Sequence, residues 1–94
     1  MRENDLTFTG VVLQDEKFYA SLCLELDVAS QGETVLEAKR ALAEATALYL
    51  ETAIENNLPY LRPVPLDDDP RETTPEDVIE TFPLKVNIAI HAYA

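Results

Sequence analysis

Residues 18–51 constrain the fold more than any other part of this chain, because they join two strand patterns directly to a long helix pattern. Alternating side chains predict a strand over residues 18–24, and a shorter strand pattern follows at 28–31. Thr34 and Glu37 then form a capping box, in which each side chain satisfies a backbone N–H at the start of a helix. The stretch therefore predicts strand, turn, strand and helix in direct succession.

Apolar residues within the predicted helix recur every three or four positions, which is typical of a helix that packs on a sheet. This sheet-facing stripe consists of Val35, Ala38, Leu42, Ala45, Tyr49 and Ala53. The helix is predicted to end near Asn56 and Asn57, because the residue before Pro59 disfavours helical geometry. Glutamates at 37, 44 and 51 lie about half a turn away from the stripe and predict a solvated face.

A second apolar row follows the helix away from that stripe. It consists of Leu36, Ala43, Ala47, Leu50 and Ile54. Apolar surface of this extent is seldom left in water. Two explanations of the row stay open: it is a subunit interface, or the chain after the helix folds back and covers it with Tyr60, Leu61, Val64 and Leu66. We expect a homo-oligomer, most simply a two-fold dimer.

The flanking segments complete an α+β pattern. Residues 6–13 alternate as a strand, and the polar reversal at 14–17 makes an antiparallel hairpin with the strand at 18–24. All six prolines lie at 58–83, which predicts a long irregular connection with one short helix at 74–81. A final strand is expected at 84–92. The predicted order is β-β-β-α-β, with the helix across one face of a single sheet.

Four sequence segments resemble the HicB-like antitoxin family in their order and spacing. They are Phe18-Tyr19-Ala20-Ser21-Leu22, Glu25-Leu26-Asp27, Ser30-Gln31-Gly32-Glu33-Thr34 and Glu37-Ala38. Leu24 departs from the pattern, since many relatives carry proline there. The resemblance implies that residues 1–94 form one domain with a reduced ribonuclease-H-like sheet. In that sheet the strands have the spatial order 3-2-1-4, and the last strand runs parallel to the first.

The same resemblance implies a function in a type II toxin–antitoxin pair, in which the protein neutralises a small basic ribonuclease toxin. The formal net charge of −11 favours a basic protein partner and disfavours direct binding of nucleic acid. The acids expected to contribute to capture of the toxin are Asp15, Glu16, Glu25 and Asp27. The alternative is an oligomeric ligand-binding or scaffolding domain that has no toxin partner.

No enzymatic chemistry is expected from the sequence. The strand at 6–13 contains no acid, which disfavours a metal-dependent nuclease, and the single histidine, His91, has no adjacent base or nucleophile. The acidic run Asp67-Asp68-Asp69 lacks the glycine and spaced glutamate of a calcium loop. We therefore expect no catalytic residues, no metal site and no cofactor.

Length, cysteine content and hydropathy are those of a small cytoplasmic protein. Ninety-four residues are enough for one modest core. The single cysteine, Cys23, lies in an apolar strand pattern and is expected to be a buried thiol, as in a reducing compartment. No apolar run approaches the roughly 18 residues of a membrane span. No membrane partner is expected.

Overall fold

The structure is a computed structural model that describes the backbone of residues 2–90 and the side chains of residues 5–88. The predicted α+β class is confirmed. The elements, in chain order, are β1 (Arg2–Asp15), β2 (Phe18–Cys23), β3 (Val28–Gly32), α1 (Val35–Glu55), α2 (Pro70–Thr73) and β4 (Val78–Ile90). Two 3-10 turns, Leu66–Asp68 and Pro75–Asp77, flank the short helix α2.

The four strands form one sheet with the predicted order β3-β2-β1-β4. One detail of the prediction was wrong, because β4 pairs antiparallel with β1, from Leu13 opposite Val78 to Arg2 opposite Ile90. The chain after α1 lies beside the end of β2, since Val64 N–H donates to the Leu24 carbonyl at 2.8 Å. The connection then returns the chain to the other end of the sheet before β4 begins. Because of this return, β4 runs opposite to the expected direction.

The strand β1 has two halves with different neighbours. Gly10 to Leu13 pair with β2 on one side and with β4 on the other, whereas within the described residues the half before Gly10 pairs with β4 alone. The sheet is therefore four-stranded at one end and a two-stranded ribbon at the other. This arrangement accounts for an elongated molecule of 49 × 26 × 17 Å.

The end of the connection also differs from its prediction. Only the 3-10 turn Pro75–Asp77 forms where a short helix was expected at 74–81, and β4 begins at Val78 rather than at residue 84. Pro83 lies inside β4, which is possible because β4 is an edge strand and needs no backbone donor on its outer side. The end of the predicted strand at 91–92, including His91, lies outside the described residues.

The helix α1 begins and ends close to its predicted bounds. Glu37 N–H donates to the Thr34 hydroxyl at 3.0 Å, and Glu33 N–H donates to the Glu37 carboxylate at 3.0 Å. At the other end Asn57 has a left-handed φ of 54°, a conformation that asparagine tolerates better than most residues. The capping box therefore forms, with its return bond shifted by one residue to Glu33.

The hydrophobic core lies between α1 and the sheet. Its buried members are Cys23, Leu26, Leu42, Leu50, Leu84, Val86 and Ile88. On α1 the buried residues are Ala38, Leu42, Thr46, Leu50 and Ala53. Three of the six members of the predicted stripe are thus buried, while Val35, Ala45 and Tyr49 are only half-buried because α1 is rotated toward Thr46 and Leu50.

The register of β2 places Cys23 opposite Gly10 on the helix-facing side of the sheet. Gly10 itself is required by close approach, because a Cβ there would come within 2.4 Å of the Phe82 ring. Small side chains at this position of the sheet let α1 and Phe82 pack closely. The core is therefore densely packed on the helix-facing side.

Candidate functional site

The acids predicted to capture a partner lie at two opposite ends of β2. Asp15 and Glu16 belong to the β1–β2 hairpin, and Glu25 and Asp27 belong to the turn before β3. The six residues of β2 separate the two pairs by roughly 20 Å, at about 3.3 Å per residue. The structure therefore does not bring the four acids together into one patch.

Glu25 has a structural role. Its two carboxylate oxygens accept hydrogen bonds from the backbone N–H and the hydroxyl of Thr9, both at 2.8 Å. These bonds tie the turn after β2 to β1, next to a cleft of about 390 Å³ that includes Phe82 and Pro83. Because both oxygens are engaged, Glu25 is poorly placed to act as a general base. Asp27, in contrast, is exposed.

The predicted second row on α1 does not form a continuous exposed surface. Leu50, a member of the predicted interface, is fully buried in the core of the single chain. Ala43, Ala47 and Ile54 are half-buried and pack against that core, whereas Leu36 is 56% exposed. Packing within the single chain thus accounts for most of the burial of this row.

The predicted cover of that row also lies elsewhere. Leu61 and Leu66 are 66% and 74% exposed, so these two side chains bury little against α1, whereas Tyr60 is 39% exposed and Val64 is half-buried. The connection instead follows the end of β2, where Arg62 N–H donates to the Glu25 carbonyl at 3.1 Å. This path leaves an open groove between the second half of α1 and the start of the connection.

We call this feature the α1 groove. It has a volume of about 480 Å³ and is lined by Ala45, Leu48, Tyr49, Thr52, Ala53, Leu58, Pro59 and Arg62. One wall is α1, and the other is the segment that follows the helix. Most of the lining side chains are apolar, and the groove opens to solvent.

Hydrogen bonds fix the second wall against the helix. The Tyr49 hydroxyl donates to the Tyr60 carbonyl at 2.7 Å, and Leu58 N–H donates to the Ala53 carbonyl at 2.8 Å. The Arg62 guanidinium lies 5.5 Å from the centroid of the Tyr49 ring and donates to the Asp27 carbonyl at 3.3 Å. The groove is therefore held in shape by the chain itself.

Two of the exposed apolar side chains line this groove, while others, such as Leu36, Leu66 and Ile79, lie outside it. Leu48 and Leu58 line it and are 66% and 56% exposed, and Leu61 beside it is also exposed. The sequence prediction missed the groove because Leu48 belongs to neither predicted row, and Leu58 lies in a proline-rich segment interpreted as irregular. An isolated leucine among alanines and glutamates was the available signal.

Acidic side chains border the groove along α1. Glu44 precedes Leu48 by four residues and Glu51 follows it by three, so both are neighbours of Leu48 on the helix surface. Glu55 lies one further turn along the same flank, and it is exposed, as is Glu44. The groove thus has an apolar floor, acids along the Leu48 side of α1, and a cation, Arg62, in its lining.

The acidic run of the connection is divided between two roles. Asp67 and Asp68 are exposed, whereas Asp69 is buried and accepts a hydrogen bond from Arg71 N–H at 2.9 Å at the start of α2. The Arg71 guanidinium also pairs with the Asp69 carboxylate at 2.8 Å, and these side-chain hydrogen bonds lower the pKa of Asp69. Asp69 therefore stabilises the connection, while the rest of the run is solvated.

The other groups that could support chemistry are few. Among the described residues no three His, Cys, Asp or Glu side chains are grouped as a metal site. Cys23 is a buried free thiol, and burial raises its pKa from 9.0 to about 11. A thiol of this kind is protonated at neutral pH and is a poor nucleophile. In the described part of the chain, no helix has the length and apolar character needed to span a membrane.

Comparison with known proteins identifies the fold. No protein-family model matches the chain, and no curated protein matches it in sequence. A chain of a toxin–antitoxin complex from Streptococcus pneumoniae is similar in structure, with a TM-score of 0.61 and 18% sequence identity. The similarity covers 92% of this chain and 70% of that chain. This protein therefore has a fold that occurs in a toxin–antitoxin complex.

Proposed function

We propose that the protein is a HicB-like antitoxin that binds and neutralises a small basic ribonuclease toxin in the cytoplasm. The observation that carries the proposal is the shared fold with a chain of a toxin–antitoxin complex, over 92% of this chain. The four sequence segments that resemble HicB-like antitoxins lie within that fold. The protein acts by binding and has no enzymatic role in this proposal.

Charge supports a basic partner. The formal net charge of −11 raises the rate at which a positively charged protein encounters this chain and lowers the affinity for nucleic acid. The α1 groove adds preformed apolar surface, which contributes affinity once the partner has arrived. Together they provide long-range attraction and a place for close contact.

The test uses the product of the reading frame adjacent to the one that encodes this chain. We expect a small basic protein that cleaves RNA, and we expect cleavage to stop when a stoichiometric amount of this chain is added. Calorimetry at low and high salt measures the affinity and its electrostatic part. Binding without inhibition, or RNA cleavage that continues in the presence of excess chain, would refute the proposal.

The predicted capture acids remain part of the proposal, now as two separate groups. Reversing Asp15 and Glu16 to Lys tests one end of β2, and reversing Asp27 tests the other. Charges at the rim of an interface act mainly on the association rate. Charge reversal at the end of β2 that faces the toxin is therefore expected to slow association by roughly tenfold at low salt. Glu25 is left unchanged, because its bonds to Thr9 hold the fold. Equal, unaltered rates for both variants would rule out these acids.

An oligomeric scaffolding or ligand-binding domain is the second candidate. The specific observation in its favour is the edge strand β4, which in the part of the chain that the structure describes pairs with β1 alone. A two-fold pairing of β4 strands would extend the sheet across two copies. Light scattering distinguishes the candidates, since a stable homo-oligomer that ignores the adjacent gene product supports the scaffold.

A further inference from the structure

The α1 groove presents apolar side chains that the single chain leaves in water. Leu48 and Leu58 both line it, and each exposes more than half of its surface. Scattered exposed leucines are ordinary, but exposed leucines that line one concave surface are typical of a binding site. The groove therefore needs an occupant with an apolar face.

The shape of the groove restricts that occupant. Its helical wall extends from Ala45 to Ala53, which is about 12 Å or two turns at 1.5 Å per residue. A helix laid along it places two or three anchors, spaced three or four residues apart, against the floor. The hydrogen bonds at Tyr49 and Leu58 fix the walls beforehand, so little ordering is needed when the occupant binds.

The charge around the groove identifies the chemistry of the occupant. Glu44 and Glu55 border it and are exposed, and the whole chain carries a formal charge of −11. A second copy would bring the same acids and the same net charge to the contact. The lining cation, Arg62, lies over the Tyr49 ring and donates to the Asp27 carbonyl at the other wall. A helix with an apolar face and basic residues on its Glu44 side is therefore complementary to the floor and to the acidic flank.

We propose that the α1 groove binds an amphipathic, positively charged helix of the protein partner. The inference rests on the proposed function, in that it locates the contact that a basic toxin makes with this chain. Leu48 and Leu58 hold the apolar anchors of that helix. Glu44 and Glu55 pair with the basic side chains that flank those anchors.

The test uses a peptide of about four helical turns built from Leu and Lys, with all leucines on one face. A second peptide with the same composition but no apolar face is the probe control. Fluorescence anisotropy measures binding of each peptide to the unmodified chain, to Leu48→Glu and to Leu36→Glu. Leu36 is a matched control, because it is 56% exposed on the same helix and does not line the groove.

The two substitutions add the same negative charge, so they separate apolar contact from attraction. Binding by charge alone would be unchanged or stronger in both variants. We expect the amphipathic peptide to bind Leu48→Glu roughly tenfold more weakly or worse than Leu36→Glu, because a buried leucine contact is lost. Thermal unfolding checks that both variants remain folded, which the exposure of both leucines favours.

Three outcomes would overturn the inference. They are equal binding of the peptide to both variants, equal binding of the two peptides, and a dimer of the unmodified chain that Leu48→Glu converts to a monomer. Repeating the comparison with the adjacent gene product separates this inference from the proposed function. If the toxin binds both variants equally, the proposed function holds and the groove is not the binding site. If the toxin does not bind the unmodified chain, the proposed function is refuted.

Discussion

Two leucines on α1, two residues apart, differ completely in what surrounds them. Leu50 points into the core and is fully buried, whereas Leu48 lines the α1 groove and is 66% exposed. The core flank of α1 packs on the sheet, and the groove flank faces an open surface bordered by acids. The comparison indicates that one helix serves folding on one side and is available for binding on the other.

The same contrast holds for how each side is closed. The core flank packs against the sheet, where the Phe82 ring lies directly against Gly10. The groove flank meets a segment that is held by hydrogen bonds, such as that from the Tyr49 hydroxyl to the Tyr60 carbonyl. Substitutions on the two flanks should therefore differ in their effect on the free energy of unfolding.

The largest effect is expected for Leu50→Ala. Removing a fully buried leucine side chain leaves a cavity and should lower the free energy of unfolding by about 2 to 5 kcal/mol. Urea denaturation followed by circular dichroism measures the change. A decrease in the free energy of unfolding of less than about 1 kcal/mol would indicate that Leu50 lies outside the core and would favour its assignment to an interface.

A second test of the core flank is alkaline pH. The folded state raises the pKa of Cys23 from 9.0 to about 11, so between these values the folded chain holds a proton that the unfolded chain has released. Its contribution to stability is present below pH 9 and is lost as the pH rises toward 11, on the order of 2 kcal/mol. Cys23→Ala is the control, because this variant lacks the thiol and keeps every other titratable group.

The outcome is a difference between two pH profiles. We expect the unmodified chain to lose more stability between pH 9 and 11 than Cys23→Ala does. Parallel profiles would show that the thiol is not desolvated. In that case the packing of β2 against α1 is looser than the core flank requires.

Much of the fold was predictable because local sequence patterns determine it. The capping box at Thr34 fixed the start of α1, and alternation fixed the hairpin of β1 and β2. The direction of β4 was not predictable in this way, because it depends on the path of a connection that contains five of the six prolines. Nothing local to 84–92 distinguishes a parallel from an antiparallel strand.

The candidate site was less predictable than the fold. Spacing on a helical wheel placed Leu50 outside the sheet-facing stripe, yet α1 is rotated so that Leu50 and Thr46 are buried. Leu48 and Leu58 line one groove although they belong to different segments, and the turn at Asn57 lies between these segments. Tertiary packing decides both, and periodicity alone does not report it.

A third prediction compares how much room each flank has for an added group. Gly10→Ala places a methyl group against the Phe82 ring and should cost about 1 to 2 kcal/mol, as overpacking of a core does. Ala45→Leu adds a larger group in the groove and should change stability by less than about 0.5 kcal/mol. Combining Gly10→Ala with Phe82→Leu should cost less than the sum of the two single changes. Additive costs would show that the ring is not the obstacle.

The smallest effect on stability is expected for Leu48→Ala, and it is the sharpest contrast with Leu50→Ala. Leu48 is 66% exposed and alanine has the highest helix propensity, so the free energy of unfolding should change by less than about 0.5 kcal/mol. If the groove binds a partner helix, the same substitution should weaken that complex by roughly tenfold, because the anchor contact is lost. Urea denaturation measures the first quantity and calorimetry with the adjacent gene product measures the second. A stability loss as large as that of Leu50→Ala would mean that Leu48 belongs to the core, and the division of α1 into a folding flank and a binding flank would not hold.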